Sequence, residues 1–172
     1  MVGLPKSEEA LVRLGDSKST AIRRLALLER RLDRDITLKN DYHAFMSEYV
    51  DRGHMRKVEN EDDSLRTSYY LPHHPVIKGS STTTRVRVVF DASSKTSTGI
   101  SLNDALLNGP VIQDDLRSII MRCRLYPIVL ISDVEKMFRQ VLIDPSDLPF
   151  QRILWRFSTD RCVRIMYSYV RH

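Results

Sequence analysis

The chain has 172 residues, of which 42% are hydrophobic and 28% charged. That supports a core and excludes wholesale disorder. No apolar run approaches the roughly 20 residues of a membrane helix, no signal-peptide apolar region follows the first residues, and two cysteines cannot make a disulfide framework. An intracellular location, cytoplasmic or nuclear, is therefore expected. The net charge of +5 is unevenly placed. Residues 1–70 carry 13 Lys/Arg and 13 Asp/Glu, whereas the rest carries 14 against 9. A basic half points to a polyanionic partner or to a plain basic surface.

Ala21, Ile22, Leu25, Leu28 and Leu32 recur at helical spacing in SKSTAIRRLALLERRLDRD, with Ser17 or Ser19 as cap. A second helix is predicted in DYHAFMSEYVDRG, with Tyr42, Phe45, Met46, Tyr49 and Val50 on one face and Gly53 as its stop. The charged residues of both helices read as a solvated face. ENEDDS reads as a loop or linker, followed by β-like runs in SYYLPHHPVIK and TTTRVRVVFDAS. In the latter, Val86, Val88 and Phe90 alternate with Arg85, Arg87 and Val89, giving a strand with one apolar and one basic face.

KGSSTTT and KTSTGISLND are turn-like, and Ser101 can cap a short turn through Leu106. DDLRSIIMRCRL reads as a helix with acids at its start and arginines at its end, Cys123 packing beside Ile119 and Ile120. PIVLISD suits a buried central strand, because it is short, continuous and β-branched. After it come VEKMFRQVLI, a DPSD turn, the strand-like FQRILWRF and a further strand in RCVRIMYSYVRH.

Asp133 closes the PIVLISD strand, where a carboxylate could hold a divalent metal or cap the next segment. Arg85 and Arg87 share a strand face, either as a clamp for a triphosphate or as a solvated face. His73 and His74 are adjacent and point oppositely in a strand, so they do not make a metal site together. Tyr42, Phe45, Tyr49 and Trp155 read as core. Phosphate-binding loops, dinucleotide fingerprints, H-E-x-x-H and G-x-S-x-G are absent.

Taken in order, YYLPHHPVIK, TTRVRVVFDASSKTSTGISLNDALLNGP and LISDVEKMFRQVLIDPSDLPFQRILWR resemble the reverse transcriptase of Pao/BEL long-terminal-repeat retrotransposons. GLPKSEEALVRLGDSKSTAIRRLALLERRL resembles the lead-in to that polymerase, and the likeness runs to about residue 157. The resemblance implies an α+β fold: a partial right-hand polymerase, with fingers and an incomplete palm sheet behind a helical lead-in. The implied segments are a lead-in over 1–58, an acidic linker over 59–67, a fingers-like segment over 68–125 and a partial palm over 126–172.

It further implies that Asp133 is the first catalytic aspartate and a ligand of Mg²⁺, joined by the Val134 carbonyl. Phe138 falls at the steric gate, and Arg87 at the contact to the incoming deoxynucleotide triphosphate, with Arg85 or Lys78 as a second positive group. Asp91 falls at a structural fingers aspartate beside the template path. The implied partners are an RNA/DNA primer-template and a deoxynucleotide, with no membrane, and with self-association through an open palm edge. The family's Tyr-x-Asp-Asp pair and Gln-Gly segment are missing. Asp-Asp occurs only at Asp62-Asp63 and Asp114-Asp115. One carboxylate of three is present, so the chain alone is expected to lack polymerase activity. The alternative is a non-catalytic nucleic-acid-binding protein derived from such an element.

Overall fold

The computed structural model describes residues 1–58, 68–77, 86–134, 137, 141–158 and 164–168. Lys78, Arg85, Phe138, and the predicted 59–67 linker and KGSSTTT turn lie outside them. The fold is α+β.

A short helix α1 (Glu8–Val12) is capped by the Ser7 side chain. Helix α2 (Lys18–Arg34) buries Ala21, Leu25, Leu28 and Leu32, while Ile22 stays exposed. Ser17 precedes α2 but does not cap it; its hydroxyl accepts the Tyr70 N–H at 2.9 Å. Asp35 then ends α2 and starts α3 (Ile36–Asp51), its carboxylate accepting the Leu38 N–H at 2.9 Å. Helix α3 therefore begins at Ile36, ahead of the Asp41 that opens the predicted helix, because one acidic residue serves both helix ends. Tyr42, the first residue of the predicted apolar stripe, lies well inside α3 and is completely buried. Gly53 follows the helix with φ 70°, the left-handed stop expected of it.

Among the described residues two small sheets complete the architecture, built from five strands: β1 (Met55–Lys57), β2 (His73–Ile77), β3 (Val86–Phe90), β4 (Arg152–Trp155) and β5 (Arg164–Ser168). Strands β2 and β3 form an antiparallel hairpin, with His73 opposite Phe90 and Val76 opposite Arg87. The other sheet has the order β1-β5-β4, all antiparallel. An open palm edge is expected on the strands carrying Asp133 and Trp155. Residues 69–71 meet β4 at its first residue: Leu71 N–H donates to the Arg152 carbonyl at 2.7 Å, and Arg152 N–H donates to the Tyr69 carbonyl at 3.2 Å. DPSD opens a 3-10 helix (Pro145–Gln151) rather than a simple turn, with the Asp144 carboxylate accepting the Ser146 N–H.

One hydrophobic core joins these parts. Leu25, Leu28 and Leu32 of α2, Tyr42 and Met46 of α3, Val86 and Val88 of β3, Ile153 and Trp155 of β4 and Met166 of β5 belong to one buried cluster. Residues of the ranges 1–58, 68–125 and 126–172 therefore share a core. Tyr42 and Trp155 are core as predicted, and Phe45 and Tyr49 pack against it.

Between α4 (Leu102–Ala105) and the 3-10 helix the chain changes character. Ser101 caps α4 through a reciprocal pair with Asp104, and Leu106 is the extended residue that follows its last turn. Helix α5 (Leu116–Cys123) forms where predicted, with Asp115 as its cap, yet buries no residue. Cys123 is half-buried and Ile120 exposed, so the expected core packing there is not made. PIVLISD forms no strand: Ile128, Leu130 and Ile131 are 78%, 91% and 95% exposed. A continuous apolar run becomes a strand when ladder partners and both covering faces are supplied, and none flanks it among the described residues. No helix among the described residues is long and apolar enough to cross a membrane.

Candidate nucleic-acid interface

The hairpin sorts its residues by the period of two. His73, Pro75, Val86 and Val88 turn inward, while Val76, Arg87 and Val89 are exposed on the opposite face. His73 fixes the inner face. The Tyr42 hydroxyl donates to its Nδ1, and its Nε2–H donates to the Leu154 carbonyl at 2.9 Å. Both ring nitrogens are satisfied, and burial pushes the imidazole pKa down to about 4. His74 projects to the other side, as expected of adjacent strand residues. His73 is a structural cross-brace between α3, β2 and β4.

Arg87 stands outward, and its side chain takes part in no hydrogen bond or ion pair among the described residues. Asp91, just beyond β3, is engaged locally. Its N–H donates to the Pro72 carbonyl at 2.8 Å, and its carboxylate accepts from the Ser93 N–H and hydroxyl and lies 3.7 Å from the Arg24 guanidinium. This turn ties the base of the hairpin to α2.

Asp133 is exposed on an irregular segment, not at the rim of a strand. Val134 beside it is exposed too. No hydrogen bond or ion pair among the described residues joins Asp133 to Arg87. Among the described residues no group of three or more His, Cys, Asp or Glu side chains could hold a metal ion. A pair of Mg²⁺ ions needs several carboxylates from separate elements, and the described residues group no such set with Asp133.

A cleft of about 130 Å³ lies between α2, α3 and the end of β4, lined by Glu29, Asp33, Lys39, His43, Trp155 and Arg156. Its charges pair with each other: Arg156 donates two hydrogen bonds to Glu29 at 2.6 and 2.7 Å, and Lys39 reaches Asp33 at 2.8 Å. His43 has a lowered pKa, from burial first and nearby Lys39 second. The cleft is a braced seam.

That bracing has an effect which the linear sequence hides. With Glu29 and Asp33 turned toward Arg156 and Lys39, the exposed face of α2 is left to arginines: Arg23, Arg24, Arg30, Arg31 and Arg34. Projecting the helix at 100° per residue reveals the face; counting charges along the chain cancels it. Comparison with family models, with characterised proteins and with solved structures finds no match.

Proposed function

We propose that the chain is the fingers and the beginning of the palm of a Pao/BEL-type reverse transcriptase lineage, and that its ligand is nucleic acid. The ordered motifs from YYLPHHPVIK to FQRILWR support the lineage. The observation that carries the ligand is the outward Arg87 on a hairpin whose inner face is pinned by His73. A guanidinium held out on a rigid strand suits a phosphate, whether of a primer-template or of an incoming deoxynucleotide. Exposed Val76 and Val89 flank it on the same face.

The metal site is the incomplete part of the lineage in this chain. Asp133 is one carboxylate of three, and the Tyr-x-Asp-Asp pair is missing from the sequence, so no turnover is assigned to the chain by itself. The missing pair also supports a second reading, a nucleic-acid-binding protein without the polymerase chemistry.

Binding is measured by fluorescence anisotropy with a labelled DNA duplex bearing a single-stranded overhang, over a range of salt concentrations. Affinity should fall with salt, and Arg87→Ala should weaken binding and make the salt slope shallower by about one. Binding that ignores both salt and Arg87→Ala would sink the proposal. Primer extension in magnesium should yield no product. Extension abolished by Asp133→Asn would instead establish a working centre and overturn the non-catalytic reading.

A further inference from the structure

We infer that the solvent face of α2 is a second phosphate-binding ridge, touching the base of the Arg87 hairpin through Arg24 and Asp91 and directed at the backbone of the same nucleic acid; the inference rests on the nucleic-acid reading above. Residues 23, 24, 30, 31 and 34 fall within about 120° of arc at 100° per residue. The buried Ala21, Leu25, Leu28 and Leu32 occupy the opposite side. From Arg23 to Arg34 the ridge runs about 17 Å at 1.5 Å per residue, which spans several phosphates of a duplex.

Three observations separate this face from an ordinary solvated one. The two acids of the helix are turned to its far flank, where Arg156 holds Glu29 and Lys39 holds Asp33. The side chains of Arg30, Arg31 and Arg34 have no ion pair or hydrogen bond among the described residues, so their guanidinium groups remain available. Leu27, 59% exposed, sits in the middle of the arc, where an apolar contact to sugar is available but water is a poor neighbour. The ridge also connects to the hairpin: Arg24 lies 3.7 Å from Asp91, the residue that closes the base of β3.

A nucleic-acid backbone is favoured over a lipid surface because the face is dominated by guanidinium groups. Its exposed large apolar content is the single Leu27 within the arc, too little to enter a bilayer interface. Planar forks match phosphate oxygens in pairs, which makes arginine the natural residue for this ridge.

The test uses the full chain, the same labelled duplex, and vesicles of equal parts phosphatidylserine and phosphatidylcholine. The triple variant Arg23→Gln, Arg30→Gln, Arg34→Gln should bind the duplex about tenfold or more weakly and lower the salt slope by about 2 to 3. The corresponding triple lysine variant should keep the slope, since charge is conserved. Circular dichroism should be the same for all, because the replaced side chains are exposed. If the glutamine variant binds like the parent while Arg87→Ala loses affinity, the ridge is refuted and the hairpin reading survives. If the glutamine variant loses affinity and Arg87→Ala does not, the ridge survives and the hairpin reading falls. A parent chain that does not bind the duplex refutes both, and tighter binding to the vesicles than to the duplex refutes the ridge in favour of lipid.

Discussion

The hydroxyl of Tyr42, on α3, donates to Nδ1 of His73, on β2, inside the core. The burial of His73 makes stability depend on pH in a defined direction. Burial lowers the folded pKa of His73 from 6.5 to about 4, so the unfolded chain takes up its proton first. The stabilisation is present above about pH 6.5, declines as pH falls toward 4, and levels off below. The shift corresponds to about 3 kcal/mol. Urea unfolding at pH 7 and pH 4.5 should show the loss, and His73→Gln should flatten it. A midpoint that stays constant over that interval would contradict the buried, neutral imidazole.

Gly15 lies where two loops meet. A Cβ there would stand 2.8 Å from the Thr98 backbone nitrogen and would also strike the Ser97 hydroxyl. The hydroxyl could rotate, but the backbone could not. Ser97 N–H is bonded to the Asp16 carbonyl at 3.0 Å, and the Thr98 hydroxyl to the Arg13 carbonyl at 2.8 Å. Gly15→Ala should therefore cost about 1–3 kcal/mol, read as a drop in the urea midpoint. Gly109→Ala, with nothing near its Cβ, is the control and should leave the midpoint unchanged or slightly raised.

Glu29 and Arg156 join α2 to the end of β4 with a two-pronged, mostly buried pair. Removing one member leaves the other charge poorly solvated. Glu29→Ala should lower stability by about 1–3 kcal/mol, and Arg156→Met in that background should restore part of the loss. Thermal melts of the single and double variants decide the matter; strictly additive losses would mean the two groups are not coupled.

The segment around residues 125–134 exposes a run of large apolar side chains. Such a surface binds hydrophobic dyes and promotes association. Leu130→Ser together with Ile131→Ser should reduce dye fluorescence and concentration-dependent scattering. The melting temperature should stay within about 2 °C, since exposed substitutions change stability by roughly 0.5 kcal/mol or less. A large drop in melting temperature would show that these side chains are packed.

Much of the scaffold is legible in the sequence because periodicity reports on burial. The spacing of Leu25, Leu28 and Leu32 locates α2, and the alternation of Val86 with Val88 locates β3. Ser101 is readable as a cap, and the acidic start of α5 as its beginning, because capping is local chemistry. What is not legible depends on distant partners. The apolar Ile128 to Ile131 run has the composition of a strand but no ladder beside it among the described residues. The arginine face of α2 is hidden because Glu29 is cancelled by Arg156, 127 residues away. In the candidate site, the outward position of Arg87 follows from alternation alone. The exposed, irregular setting of Asp133 does not, since the strand expected to carry it is absent.

The amino-terminal stretch is seated by late parts of the chain. Val2 N–H donates to the Leu142 carbonyl at 2.8 Å, Leu4 N–H to Asp147 at 2.7 Å, and Lys6 forms an ion pair with the same buried carboxylate. Synthesis runs in the opposite order: residues 2 to 6 leave the ribosome long before residue 147 exists to receive them. During that interval α2 and α3 also lack Trp155 and Met166, which complete their shared core. Nascent chains should therefore stay protease-sensitive until Met166 has emerged and then become protected together, making assembly a single late event rather than a progressive one.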